Sequence, residues 1–324
     1  MTPTALGAAP VGVGMAVPEA VVHNKEIAER LGVDEEWVSS RTGTRERHVA
    51  APGERLDHFA TRAAIGALAD AGIDAGEVDL VVLGTTSAEE MSPHAAPMVA
   101  ADIGATGAGA FDVNNACCGF LTCLSVAAAQ IESGRARTVV AIGADVLSKY
   151  LDHDDRGTAM LFGDGAGAVV LTAVDGPSRI GRTVLHSDGD RRHLIRLGRD
   201  DHTIRMDGPT VYKYAVRSMT EVTREVLEQD GLSQDDIDLY CYHQANSRII
   251  AAVGHRLGLP AERVVDVLAG YANTSAASLP IALADAKADG RLRDGDRVLL
   301  SAFGAGMVWG ALVARWGPVH DTAS

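Results

Sequence analysis

Asn114-Asn115-Ala116-Cys117-Cys118-Gly119-Phe120 reads as the junction between the end of one strand and the start of one helix. The helical pattern runs to about Ser133, where Gly134 supplies a stop. Leu121, Leu124, Val126, Ala127 and Ala128 give it a small apolar face, so a central, buried helix is expected. A cysteine in the first turn of such a helix meets the positive dipole end and unpaired N–H groups. Both lower a thiol pKa and favour thiolate. A thiolate there can take an acyl group from a thioester at almost no net cost, because one thioester replaces another. Cys117 and Cys118 both fit, and the spacing alone does not choose between them. For a lone cysteine, burial as filler is the commoner explanation. The strand–turn–helix setting weighs against it here.

Two further groups suit thioester chemistry. An apolar strand pattern over 237–242 runs into His243-Gln244-Ala245-Asn246. A histidine at the carboxyl end of a parallel strand lies at the edge where ligands bind; a packed, hydrogen-bonded histidine is the ordinary alternative. Asn273 precedes its own helix in Tyr271-Ala272-Asn273-Thr274-Ser275-Ala276-Ala277-Ser278, where an asparagine usually serves as a turn or cap residue. A neutral imidazole and a carboxamide together offer two N–H donors. They could hold the enolate oxygen formed when a malonyl group loses carbon dioxide. No base is required, since decarboxylation itself generates the carbanion. The N–H of Cys117 and that of Ala305, in the turn Gly304-Ala305-Gly306, are candidates for a separate oxyanion hole.

An internal duplication supplies the elements that must position these groups. Residues 71–80 read like 230–239, an offset of 159. The same offset takes 112–115 to 271–274 and 138–141 to 297–300. Each half repeats one element order: a helix (about 57–71 and 212–229), then an apolar strand (78–84 and 237–243). A strand-to-helix turn (111–133 and 271–289) and a buried strand (138–143 and 297–302) follow. Strands separated by helices imply parallel pairing with crossover helices. Two halves, 1–175 and 176–324, related by a pseudo-dyad, give a five-layered α-β-α-β-α body. The pseudo-dyad sets the first turns of the two central helices side by side, so Cys117 and Asn273 can face one cavity. At the duplicated strand end one half carries Gly84 and the other His243, a divergence expected where only one copy does chemistry. The unduplicated pieces 31–55, 84–108, 146–163 and 176–210 are insertions, where binding usually sits.

Composition narrows the class. The chain has 324 residues, 47% hydrophobic and 22% charged, suited to two halves rather than one core. A net charge of −14 disfavours nucleic acid and anionic membrane surfaces as partners. No apolar run reaches the ~18 residues of a membrane span. Residues 1–20 lack the basic segment of a signal peptide, so a cytoplasmic protein is expected. Three of the four cysteines fall within seven residues, so in a reducing compartment free thiols are expected; no C-x-x-C pair occurs, so no metal site is expected.

The chain resembles β-ketoacyl-acyl-carrier-protein synthase III, of the thiolase-like superfamily, over nearly its whole length. The matching stretches are 37–47, 111–120, Asp155-Arg156-Gly157-Thr158, 162–168, His243-Gln244-Ala245-Asn246, 270–278 and 302–310. The resemblance implies that Cys117 is the acylated nucleophile, with His243 and Asn273 completing a triad. It implies that Trp37 and Arg156 sandwich the adenine of coenzyme A and that Arg41 lies near its phosphates. Met206, Gly208, Tyr212 and Asn246 match the pantetheine and coenzyme A contacts, and Phe303 matches a gate over Cys117. Coenzyme A enters as a thioester substrate, with no permanently bound cofactor. Malonyl-acyl carrier protein is the implied partner. An acidic carrier needs a local basic patch on this acidic chain, for which Lys213, Arg248 and Arg256 are candidates. The family forms homodimers in which each subunit's loop closes the other's acyl pocket.

Two positions depart from the housekeeping pattern. Ser92 stands where Phe is frequent at the pocket end, which implies room for a primer bulkier than acetyl. Cys118 stands where Ala is common and fits as small apolar filler. The rival activity is acyl transfer from cysteine to an alcohol or amine, but relatives of that kind often lose part of the triad. A biosynthetic thiolase would need a second cysteine near 302–306, and a non-catalytic partner subunit would lack the nucleophile. Neither fits the residues present.

Overall fold

A computed structural model describes residues 6–318; the first five residues of the 1–20 segment lie outside it. Among the described residues, two large sheets form the body and two small two-stranded sheets, 21–23 with 46–48 and 195–197 with 204–206, lie outside it. The first has the order Leu6–Ala16, Asp164–Asp175, Thr138–Val146, Leu80–Gly84, Gly109–Val113. The second has the order Leu239–Tyr242, Arg297–Gly304, Val308–Arg315, Val184–Ser187. Between the sheets lie Gly119–Glu132, the first central helix, and Ser278–Ala288, the second. Leu56–Ala71 and Ala95–Asp102 cover the outer face of the first sheet. Gly208–Gln229 and Ser247–Leu257 cover that of the second. The body is thus α-β-α-β-α, the thiolase-like arrangement. Leu121, Leu124, Leu279 and Leu283 fill the middle layer.

The offset of 159 holds in three dimensions from the helix stop at Gly72, paired with Gly231, to the strands Thr138–Val146 and Arg297–Gly304. Two expectations need correction. The sheets are mixed, not parallel throughout. Leu80–Gly84 pairs in parallel with its two neighbours, but Thr138–Val146 and Leu6–Ala16 run antiparallel to Asp164–Asp175. Three residues join Arg297–Gly304 to Val308–Arg315, too few for a crossover, so that pair is antiparallel as well.

The strand expected just before the second central helix is also replaced. A short helix, Leu268–Tyr271, stands there, and Val264 keeps only a single parallel bridge to Tyr240. The buried side chain of Gln244 takes over the missing ladder. Its Nε2 donates to the carbonyls of Tyr242 and Val265, and its Oε1 accepts from Val267 N–H.

Candidate active site

The two central helices begin at equivalent turns. Ala116–Cys118 leads into the first and Ser275–Ala277 into the second. Each turn opens with a non-glycine residue in the left-handed region, Ala116 at φ 46° and Ser275 at φ 53°. Such backbone is costly for residues with a Cβ and persists only where the surroundings hold it. Asp145, fully buried, does part of that holding. Its Oδ1 accepts from the hydroxyls of Thr85, Thr86 and Ser87 and from Thr86 N–H, and its Oδ2 accepts from Ala276 N–H at 3.1 Å. One carboxylate therefore ties the first sheet to the turn of the second half.

The helix starts open into a cavity of about 1670 Å³. Cys117, His243 and Asn273 all line it, and Cys118 does not. Cys118 is buried with its thiol on Val308 O at 3.7 Å. Ser275 Oγ donates to Cys117 Sγ at 3.5 Å. The helix start and the surrounding protein act on this thiol in opposite directions. Burial pushes the Cys117 thiol up to about 11, Asp145 adds to the rise, and the Ser275 hydrogen bond offsets only part of it. Loss of solvent is the largest of these effects.

Asn273 is held on three sides. Its N–H donates to Leu161 O, its carbonyl accepts from Gly163 N–H, and its Oδ1 accepts from Ser275 N–H at 2.9 Å. With Oδ1 committed, Nδ2 is the end left to donate into the cavity. His243 is buried beyond the end of Leu239–Tyr242, and its Nδ1 lies 2.6 Å from Ser278 Oγ. Burial pushes the imidazole down to about 4, so it is neutral at physiological pH. The site therefore holds a thiol, a neutral imidazole and an oriented amide.

The other expected residues line the same cavity: Trp37, Arg41, Arg156, Met206, Gly208, Tyr212, Asn246, Phe303, Ala305, Lys213 and Arg248. All four insertions contribute to its wall. Phe303 packs against Tyr214 with ring centres 5.9 Å apart. Gly304 lies so close to Cys117 that a Cβ there would come within 2.8 Å of Cys117 N. Arg41, not Arg156, covers Trp37, its guanidinium 4.3 Å from the ring centre. Arg156 instead donates to Leu31 O at 2.8 and 3.1 Å. Asn246 has a structural task too: its Oδ1 caps Ser247–Leu257 at Arg248 N–H, and its Nδ2 donates to Arg41 O. Lys213 and Arg248 are exposed at the mouth. Arg256 is exposed but does not line the cavity. Ser92 does not line it either; the loop meets the cavity through its neighbours Met91 and His94. Ser275, Ser278 and Asp145 are the site residues that the sequence reading missed, since a serine in a turn and an aspartate in an apolar strand carry no local signature.

A family profile described as 3-oxoacyl-[acyl-carrier-protein] synthase III matches residues 111–189, and its C-terminal counterpart matches 227–316. Beta-ketoacyl-[acyl-carrier-protein] synthase III of Rhodobacter capsulatus is 43% identical, covering 94% of this chain and 98% of that one. Synthase III 2 of Streptomyces coelicolor is 45% identical, covering 98% and 97%. The crystal structure of 3-oxoacyl-[acyl-carrier-protein] synthase III from Aquifex aeolicus superposes with a TM-score of 0.93 at 41% identity, over 96% of this chain and 100% of that one. The priming β-ketosynthase of the R1128 polyketide pathway gives 0.93 at 35%, over 98% and 99%. With fold, element order and full-length similarity in agreement, the chain belongs to the β-ketoacyl-[acyl-carrier-protein] synthase III family of condensing acyltransferases.

Proposed function

We propose that this protein primes chain synthesis by joining an acyl group from an acyl-coenzyme A to the two-carbon unit of malonyl-acyl carrier protein. The observation that carries this is one cavity shared by Cys117, His243 and Asn273 and reached past Trp37 and Arg156. Cys117 attacks the acyl thioester, coenzyme A leaves as its thiol, and the acyl group rests on Sγ. The N–H groups of Cys117 and Ala305 face the oxyanion of that step. Malonyl thioester then enters and loses carbon dioxide. The enolate oxygen is held by His243 Nε2–H and Asn273 Nδ2–H, and its carbon attacks the acyl-cysteine, expelling the Cys117 thiolate, which takes up one proton from solvent. Coenzyme A is a substrate, and no resident cofactor takes part. A cytoplasmic setting goes with this reading and is supported by four free cysteines. The test is single-turnover chemistry: acyl-enzyme formed from acyl-coenzyme A must be consumed by malonyl thioester with one carbon dioxide released per product.

A neutral His243 donor fixes a pH prediction. Its folded pKa is about 4, below the ordinary value near 6.5. The stability it contributes is therefore present above about pH 6.5 and lost as pH falls through about 4. Malonyl decarboxylation by the folded enzyme is expected to show no histidine-like limb near pH 6.5. A stopped-flow pH profile with such a limb would exclude the neutral donor.

Lys213 and Arg248 flank the mouth, and Arg248 lies over Tyr212 at 5.6 Å. We assign them to the acidic carrier protein. The double reversal Lys213→Glu with Arg248→Glu is expected to raise KM for malonyl-carrier at least about tenfold at low salt, with little change in kcat. The effect should shrink in high salt as the charges are screened. Steady-state kinetics with malonyl-carrier and with malonyl-coenzyme A as comparison measure it.

A homodimer completes the reading. Gly109–Val113 is an edge strand, and its Phe111 is 40% exposed. Pairing through that edge would hide both features. Light scattering is expected to return twice the 33.8 kDa chain mass. In that dimer the loop bearing Ser92 reaches the partner's acyl pocket, so Ser92→Phe should narrow a panel of acyl-coenzyme A primers towards acetyl. A monomer, or a wild type strict for acetyl, would contradict this part.

A further inference from the structure

The offset of 159 that takes Gly84 to His243 also takes Gly119 to Ser278. In the first half the two glycines pack backbone to backbone, and a Cβ on Gly84 would come within 2.6 Å of Gly119 C. In the second half both positions carry polar side chains, and the two meet at 2.6 Å. The imidazole and the hydroxyl thus occupy together a contact that in the other copy admits no side chain. We propose that Ser278 is the positioning residue for His243, setting the tautomer that presents Nε2–H to the enolate.

The argument rests on which proton goes where. Ser278 Oγ has two hydrogen-bond partners among the described residues, Gln244 N–H at 3.3 Å and His243 Nδ1 at 2.6 Å. A backbone N–H can only donate, so Gln244 occupies a lone pair of the hydroxyl oxygen. A second lone pair remains, but only donation to Nδ1 also gives the hydroxyl hydrogen a partner among the described residues. An imidazole that accepts at Nδ1 carries its hydrogen on Nε2. Gln244 cannot drift from this position, because its side chain is bonded to Tyr242, Val265 and Val267. Ser278 is also the first residue of the second central helix, whose positive end disfavours an imidazolium beside it. Ser278 is 1% exposed and does not line the cavity, so it acts through His243 and not on substrate.

This deepens the proposed role of His243, yet its test does not depend on turnover. The chain has 11 histidines, so imidazole-15N-histidine is incorporated and the His243 signals are assigned by their loss in His243→Gln. The wild-type spectrum at pH 7 should show the hydrogen on Nε2 and a bare Nδ1. In Ser278→Ala the Nδ1–H form should appear, and condensation should fall roughly tenfold, by the loss of one hydrogen bond, with acyl loading less affected. A wild-type signal with the hydrogen on Nδ1 overturns the proposal without any variant. A Ser278→Ala enzyme that keeps the Nε2–H form also overturns it. An intact Nε2–H tautomer in a protein that does not condense would instead count against the proposed reaction and leave the positioning role standing.

Discussion

His243→Ala and Asn273→Ala should each lower condensation about 10²–10³-fold, the typical cost of removing one oxyanion donor, while Cys117 still accepts an acyl group. The split follows from the division of the site. In the proposed reaction acyl transfer uses the thiol and the N–H groups around 117 and 305, whereas His243 and Asn273 serve the second substrate. Because the two donors hold one oxygen, the double variant should lose less than the product of the single losses. Rapid-quench measurement of acyl-enzyme formation and of carbon dioxide release, done separately, reads both steps. If either alanine variant abolished loading while decarboxylating normally, the assigned roles would be reversed.

The second large effect belongs to Cys117→Ala. Loading and condensation should both vanish, the latter by at least about 10⁴-fold, as when a nucleophile is removed elsewhere. Decarboxylation of malonyl thioester should survive, because the enolate donors remain. The raised pKa of the resting thiol shapes how this cysteine is found. Alkylation at neutral pH should be slow, since little thiolate is present at a pKa of about 11. Selectivity for Cys117 still follows from access, as Cys118, Cys123 and Cys241 are buried. Mass mapping of the acyl group from a thioester donor is therefore the better probe of this residue than an alkylating agent.

Much of the layout was legible because duplication leaves a register that can be checked. The offset of 159 relates the turns at 116 and 275 and the strand ends at 84 and 243 from the sequence alone. The insertions stood out as the pieces with no counterpart, and all four line the cavity. The order of the sheets was less accessible. Val308–Arg315 follows Arg297–Gly304 with no helix between them, so the alternation of strand and helix pattern gave no hint of it. The loss of the strand before the second central helix was hidden for a different reason. Its replacement depends on Gln244, whose buried amide bonds are long-range. Cys117 shows the same limit: a helix start argues for a lowered thiol pKa, but the surroundings that raise it are set by tertiary packing. Ser278 was invisible as a functional residue because its meaning lies in the contact with His243.

One experiment bears on the central claim directly. The enzyme is loaded with acyl-coenzyme A, digested and mapped by mass, then chased with malonyl-carrier while carbon dioxide is counted. The acyl mass should sit on the Cys117 peptide and leave it as a β-keto product, one carbon dioxide per acyl group. An acyl mass on another cysteine, or its departure to an alcohol or amine with no carbon dioxide, would contradict the account.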